Sequence, residues 1–300
     1  MKEEKPPLVS VIIPTYKDWD RLAVCLNALA NQSYARDYFE IIVINNDPLN
    51  NVPDNFNIWS NCTIATEKKA GSYSARNTAI GMSKGDILAF TDSDCIPDKD
   101  WLTNAVQYFV NRDIDRIGGR VDVFCKNEKA KTLAELYEII FAFPQKRYVE
   151  EEKTSITANL FVRKILFEKV GLFNSDRKSG EDYGWNKRAT NQKYNILYAD
   201  DVLVLHPARR SLKELSNKRR RVFGGKVKDY STWYRKILGE AVQLLRVFKN
   251  VTLKNVKAIF ATSKVSGIEK WKVALVEFWL FFVVVHEMLL LIVFGKEARR

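Results

Sequence analysis

A chain of 300 residues has room for one large α/β domain with an appendage or for two small domains, and an apolar content of 46% excludes a disordered chain. Its four cysteines, Cys25, Cys62, Cys95 and Cys125, form no CxxC pair and have no histidine at zinc-ligand spacing, so they read as reduced core thiols of a cytosolic chain. The net charge of +12 is uneven: residues 207–272 hold 18 Lys or Arg against four Asp or Glu, and the preceding two-thirds are close to neutral.

The opening run MKEEKPPLVSVIIP is too short and too acidic for a signal peptide. Leu8–Tyr16 reads as a strand buried on both faces. Leu22, Cys25, Leu26 and Leu29 then fall at helical spacing, with Asp20 as the expected N-cap. Phe39–Asp47 is a second strand and CTIATEKK a third. SYSARNTAIGMSKG is a short helix closed by Gly85, and DILAFTD is a fourth strand. This alternation predicts βαβ units and a largely parallel sheet, in which ligands bind beyond the carboxyl ends of the strands. Tyr16, Asn46–Asp47 and Asp92–Asp94 all fall just past such ends, so a single site is expected there. Further on, a helix is expected from Trp101 to about Asn111 and a strand in DRIGGRVDVF. A second helix, in KTLAELYEIIFAF, should stop at Pro144. TANLFVRKILFEKV reads as strand and helix, SGEDYGW as a loop entering a helix, and YNILYADDVLVLHP as a strand pair ending at His206.

The last part differs in character. Ile237, Leu238, Ala241, Leu244, Leu245 and Phe248 line one face of a basic amphipathic helix. Val273–Phe294 is long and apolar enough to cross a bilayer, though Glu277, His286 and Glu287 interrupt it. Three dispositions stay open for it: in the plane of a membrane or re-entrant, across it, or buried in an oligomer interface.

Asp92 and Asp94 carry the first chemical signal. Side chains two apart on an extended segment point the same way, so both carboxylates can face one small volume. There they would repel, and one would take up a proton, unless a cation intervened. Mg²⁺ or Mn²⁺ would take one or two carboxylates and complete its shell with water and substrate phosphates. The plain alternative is a turn residue at Asp92 and a helix cap at Asp94.

PTY after the first strand, INND after the second, AGSYSARNTAIG, FTDSDCIP and SGEDYGW occur in the order and spacing of family 2 glycosyltransferases, and the chain resembles that family over about residues 8–207. The resemblance implies a GT-A fold, a Rossmann-like, mostly parallel α/β sheet flanked by helices. A catalytic domain at residues 1–230 would precede a helical, membrane-associating tail at 231–300. Pro14, Thr15 and Tyr16 match positions that touch the nucleotide base and ribose. Asn46 or Asp47 matches the acidic position that reads uracil, although Asn45-Asn46-Asp47-Pro48 departs from the family pattern. Arg76 matches the arginine that approaches the diphosphate or Asp92, and a salt bridge to Asp92 is its structural alternative. Asp92 and Ser93 would contact donor, Asp94 and Asp92 a Mn²⁺ or Mg²⁺ ion, and His206 is a candidate third ligand or a hydrogen-bonded structural residue.

Asp182 matches the family's general base, with Glu181 orienting the acceptor or the loop; both could instead serve as first-turn helix acids. Trp185 would stack a sugar or pack into the core, and Asn159 and Arg163 would border the acceptor. NKRRRVFGG resembles a basic lid segment that meets diphosphate or anionic lipid, or is a solvated helix face. The implied activity is inverting, metal-dependent transfer of a sugar from a nucleoside diphosphate donor, most readily UDP-linked. The acceptor would be a hydroxyl of a glycan or lipid-linked glycan at the cytoplasmic face of the membrane, and the C-terminal helices could make a homo-oligomer. Two rivals remain: a non-catalytic glycosyltransferase-like scaffold, and a basic nucleic-acid-binding protein, against which the absence of any nucleic-acid motif speaks.

Overall fold

The computed structural model describes residues 5–111, 113–177, 179–224, 248 and 252–294. The chain divides into two compact units, Met1–Asp122 with Phe143–His206, and Val123–Ala142 with Pro207–Arg300. The expected domain boundary at residue 230 and most of the basic amphipathic helix at 237–248 lie outside the described residues.

The first unit is built on a sheet of eight strands: β1 (Val9–Thr15), β2 (Phe39–Asn45), β3 (Cys62–Thr66), β4 (Ile87–Phe90), β5 (Ile96–Pro97), β6 (Arg116–Phe124), β7 (Leu160–Arg163) and β8 (Ile196–Pro207). Their order is β3-β2-β1-β4-β7-β6-β8-β5. The first four strands run parallel to one another, β7 pairs antiparallel with β4 and β6, and β5 pairs antiparallel with β8. The sheet is therefore mixed: its first four strands form a parallel block, where the βαβ alternation was readable, and β6 and β8 continue the sheet beyond the antiparallel β7. β8 is one continuous strand of 12 residues, not the expected pair.

Both faces of the sheet are covered, which is why its strands are almost continuously apolar. Val9, Val11 and Ile13 of β1 point to one core, with Ile41 and Val43 of β2 and Ala89 of β4. Helices α1 (Trp19–Ala30) and α3 (Trp101–Asn111) close that core, through Leu22, Cys25, Leu26 and Leu29 on α1 and Trp101, Leu102 and Ala105 on α3. The alternate residues Ile12, Ile42, Ile44, Leu88 and Phe90 face a second core, closed by α2 (Ser72–Met82) and, further along the chain, α6 (Ile165–Val170) and α7 (Glu181–Asn191).

Two local readings are corrected. Asp18, not Asp20, occupies the N-cap of α1, and its side chain goes to Arg21 Nε at 2.7 Å instead of capping the helix. Gly85 does not close α2, which ends at Met82; a Cβ there would lie 2.6 Å from Ser10 N, so the glycine allows a close approach to β1. All four cysteines are free.

The second unit comprises α4 (Leu133–Phe141), α8 (Leu212–Gly224), α9 (Leu253–Ala261) and α10 (Gly267–Phe294) among its described residues. The short α5 (Gln145–Glu150) belongs to the first unit. Thr132 and Glu135 form a capping box at the start of α4. Ala134, Leu136, Tyr137, Leu215, Ile259, Val273, Val276 and Leu280 form this unit's core. Of the described helices, α10 is the one long and apolar enough to cross a membrane, with a mean hydropathy of 2.1, and half of its most apolar window is buried.

Candidate active site

Topology brings the polar residues of the first unit to one edge. β1, β2 and β4 are parallel; Thr15 and Asn45 end side by side, and β4 ends at Phe90 opposite Ile12, so the segment Thr91–Asp94 runs on beside the end of β1. Beyond β4 the burial alternates: Thr91, Ser93 and Cys95 are buried, while Asp92 and Asp94 are half-exposed, so the two carboxylates share one side as their spacing requires. Ser93 turns the other way and donates to Asp18 Oδ2 at 3.3 Å. β5 then pairs Ile96 with Leu205 of β8, so the next step of that antiparallel register sets His206 opposite Cys95. The ligand atoms of Asp92, Asp94, Cys95 and His206 all lie within 4.8 Å of one another.

The charges in this cluster are only partly balanced. Arg76, buried to 3% exposure, bonds Asp92 Oδ1 and leaves Oδ2 without a donor among the described residues. Arg21 Nη1 stands 3.3 Å from Asp94 Oδ2, and His206 Nε2 stands 3.6 Å from Asp94 Oδ1. Burial pushes the Asp94 carboxyl above its ordinary range; His206 and Arg21 pull it down, and Asp92 and Asp18 push it further up. This donor set suits a hard divalent cation, with two carboxylates and an imidazole converging on one point. Cys95 is unsuited to such an ion: burial and the two aspartates hold its thiol well above the usual range, and so protonated.

The expected donor residues surround this point. Thr15 is buried with its Oγ1 unpartnered, and Tyr16 beside it is 61% exposed. The Nε of Arg76 and the Oγ1 of Thr91 are likewise buried without partners. Pro14 is half-buried at the end of β1. Asn46 donates both Nδ2 protons, to the carbonyls of Glu67 and Lys69 at 2.9 Å, and its Oδ1 accepts from Gly71 N at 2.6 Å. It anchors the loop into α2 and has no donor left for a base. Asp47 lies 3.6 Å from Lys17 Nζ. Lys17 itself sits at φ +55°, in the left-handed region.

Across from the aspartates, α7 begins at Gly180 (φ +76°) and carries Glu181 and Asp182 in its first turn. Burial pushes the Asp182 carboxyl up; the Tyr183 N–H, Arg76 and Tyr73 pull it down, and Asp92 adds to the rise. Asp182 thus feels both Arg76 and Asp92. The structure brings these residues together with Asp94 and His206. Glu181 is buried and acts as a brace: it accepts from Asn174 N at 2.9 Å and Arg188 Nη1 at 2.8 Å, and it lies 3.8 Å from Arg177. Of its two expected roles, orienting the loop is the one these contacts serve.

Three expected acceptor residues are held within the fold. Trp185 is fully buried, stacked on Phe167 with centroids 4.5 Å apart, and donates from Nε1 to Gly171 O at 2.7 Å. Asn159 is fully buried and bonded to Trp101 Nε1, Arg120 O and Val202 O. Arg163 pairs across from Ile87, at the far end of β4, and donates to Ile114 O and Phe109 O. These side chains are consumed by the fold.

Sequence reasoning missed Tyr73. On the first turn of α2, its hydroxyl accepts from Glu181 N at 3.0 Å and donates to Asp182 Oδ1 at 3.2 Å. Arg76, one turn on, holds Asp92, so a single helix turn links the two carboxylate groups. The signal was present in GSYSARN, where an aromatic stands three residues before the arginine. Asn77 adds to the joint, exchanging two hydrogen bonds with the Phe173 backbone at 2.8 and 3.1 Å. Arg116, wholly buried, donates to Asn186 O within α7 and to Tyr194 O just past it, and so ties β6 to this helix and the turn that follows.

A mixed sheet with this site at the carboxyl edge of its parallel half is the architecture of a GT-A transferase. Mannosyltransferase PcManGT from Pyrobaculum calidifontis, solved in complex with GDP-Man and Mn²⁺, superposes with a TM-score of 0.55 at 18% identity, over 97% of this chain and 76% of that one. Residues 10–171 match Glycosyl transferase family 2. Glycosyltransferase AglE of Haloferax volcanii is 36% identical over 247 residues, which are 81% of this chain and 78% of that protein. The chain belongs to glycosyltransferase family 2. A dolichyl N-acetyl-alpha-D-glucosaminyl phosphate 3-beta-D-2,3-diacetamido-2,3-dideoxy-beta-D-glucuronosyltransferase of Methanococcus voltae is 21% identical over 222 residues, covering 69% of this chain and 68% of that protein.

Proposed function

We propose that the protein is an inverting glycosyltransferase that moves a sugar from a nucleoside diphosphate, most readily UDP, to a hydroxyl of a glycan or lipid-linked glycan at the cytoplasmic face of a membrane. The observation that carries this reading is the pair of carboxylate groups joined by one turn of α2, Asp92 held by Arg76 and Asp182 held by Tyr73. Asp92, Asp94 and His206 would hold Mn²⁺ or Mg²⁺, which when bound neutralises charge on the departing diphosphate. Tyr16 and Asp47 would contact the base and ribose. Arg76 and the unpaired N–H groups at the start of α2 face the diphosphate. Asp182 accepts the proton of the acceptor hydroxyl as its oxygen bonds to the anomeric carbon and the bond to diphosphate breaks. A base on the side opposite the leaving group gives inversion. The raised position of the Asp182 carboxyl suits a base that must hold a proton briefly.

The lipid-linked acceptor is supported by the Methanococcus voltae relative, whose name specifies a dolichyl-linked sugar phosphate. A divalent cation is supported by the donor set at Asp92, Asp94 and His206. A thermal-shift screen of nucleotide sugars, with and without Mn²⁺, tests the reading. Stabilisation by UDP-linked sugars that needs Mn²⁺ is expected. A chain that responds to no nucleotide sugar under either condition would be a scaffold and not a transferase.

A further inference from the structure

The helix α10 buries two of its three glutamates among apolar core residues and leaves apolar side chains exposed. Glu277 and Glu287 are the buried pair. Glu277 Oε2 accepts from Arg219 Nη2 at 2.9 Å and from the Tyr137 hydroxyl at 2.6 Å, and Glu287 lies 3.6 Å from Arg220 Nε. Lys218, the preceding residue of α8, pairs with Glu138 of α4 at 3.0 Å. Three residues of the basic run of α8, expected to face diphosphate, lipid or solvent, thus hold α4 and α10, while Arg221 stays exposed. The opposite side of α10 is exposed and mostly apolar, with Ile268, Trp271, Leu275, Phe278, Phe282 and Leu289 joined there by Lys272 and His286. Four of these, at 268, 275, 282 and 289, repeat every seven residues and form one stripe along the helix. Leu275 and Phe282 are 70% and 65% exposed. A helix facing water would show the reverse pattern, with its glutamates outside.

From this inversion we infer that the outer stripe of α10 lies in the plane of an anionic bilayer surface and does not cross the membrane. The inference rests on the membrane-face reading above and specifies the surface that makes contact. Two features decide among occupants. A crossing α10 would carry α8 with it, placing Arg219 and Arg220 at the depth of Glu277 and Glu287, beside the exposed Lys213, Glu214 and Arg221. A helix so charged does not belong in hydrocarbon. A second copy of this chain is disfavoured by charge. Around the start of the stripe, Lys254, Lys257, Lys264, Lys270 and Lys272 stand against Glu269 alone in residues 252–272, so two copies would meet with like charges. Anionic lipid complements that lysine set, and Trp271 and Trp279 are suited to the headgroup level.

The test uses the full chain and vesicles that contain no glycan acceptor, so it does not depend on transfer activity. Flotation with vesicles of phosphatidylcholine plus phosphatidylglycerol is expected, with much weaker flotation on phosphatidylcholine alone. The double variant Leu275→Glu/Phe282→Glu, both sites exposed, should partition roughly a hundredfold less while keeping the wild-type thermal melt. A spin label placed in turn at Leu275→Cys, Phe282→Cys and Leu289→Cys, with Cys62→Ser to remove the half-buried native thiol, should report one shallow depth. Depths that step by about 10 Å between successive positions would mean a crossing helix and overturn the inference. A dimer in solution that the double variant dissociates, with no flotation, would assign the stripe to a second copy and overturn it as well. The Asp94→Ala variant should float as the wild type does, so failure of the cation site and failure of this surface are read separately.

Discussion

Replacing Tyr73 by phenylalanine removes one oxygen and leaves the ring in its packing, 5.8 Å from Phe173. That oxygen makes two buried hydrogen bonds, to the Glu181 N–H at 3.0 Å and to Asp182 Oδ1 at 3.2 Å. An unpaired buried N–H at Glu181 costs about 1–3 kcal/mol, which denaturant unfolding would read directly. The carboxylate of Asp182 loses a donor that fixes its rotamer, and a misplaced base of this kind costs up to about a hundredfold in kcat. The pH dependence carries the sharper information. The Tyr73 hydrogen bond pulls the Asp182 carboxyl down against burial, so its loss lets that carboxyl rise further. A base works only when ionised, so the acid limb of the kcat profile should move to higher pH, and the deficit of the variant should shrink as pH rises. Donor KM should change little, since Arg76 and Asp92 are untouched. Full activity in Tyr73→Phe, or a loss of activity with an unmoved acid limb, would refute the placement of Tyr73 behind the base.

Three further outcomes are expected. Asp182→Asn should abolish transfer while leaving UDP binding nearly intact; loss of donor binding would contradict the base assignment. The same variant should also melt higher than the wild type near neutral pH. The raised native carboxyl means that ionisation destabilises the fold, so the wild type's stability is fully present below the ordinary carboxylate range and falls as pH rises through the displaced one. The advantage of the amide should therefore vanish in acid. Arg219→Ala leaves Glu277, 1% exposed, with the Tyr137 hydroxyl as its remaining partner among the described residues, and should cost about 3–5 kcal/mol in unfolding experiments. Adding Glu277→Leu should recover most of that loss, and a double variant as unstable as the single one would show that packing, not charge, holds α8 to α10.

Much of the first unit was legible because its signals are local. The period-two burial of Val9–Ile13 and Ile41–Ile44 follows from runs of apolar residues, and the four α1 residues read at helical spacing are the four that the helix buries. The strand-end cluster was legible for a related reason: parallel strands in register must release their chains at one edge. What stayed hidden depends on partners far along the chain. Nothing near Trp185 or Asn159 announces that Phe167, Trp101 and Val202 will enclose them. Asn46 looked like a base reader because its three hydrogen bonds go to a loop about 20 residues away. The arginines of NKRRRVFGG looked like surface charge because their carboxylates sit on α4 and α10, the latter inside a run that reads as a membrane segment. The antiparallel strand β7 escaped for the same reason, since it reaches β4 from 70 residues on.

The central claim is that Asp92, Asp94 and His206 bind a cation that in turn holds a nucleoside diphosphate. Calorimetric titration of UDP into the wild type and Asp94→Ala, each with and without Mn²⁺, tests it most directly. The account predicts that Mn²⁺ tightens UDP binding to the wild type and that the Asp94→Ala variant loses this gain while keeping the wild-type fold. UDP affinity that is the same with and without Mn²⁺, or a metal-dependent gain that survives in Asp94→Ala, would contradict it.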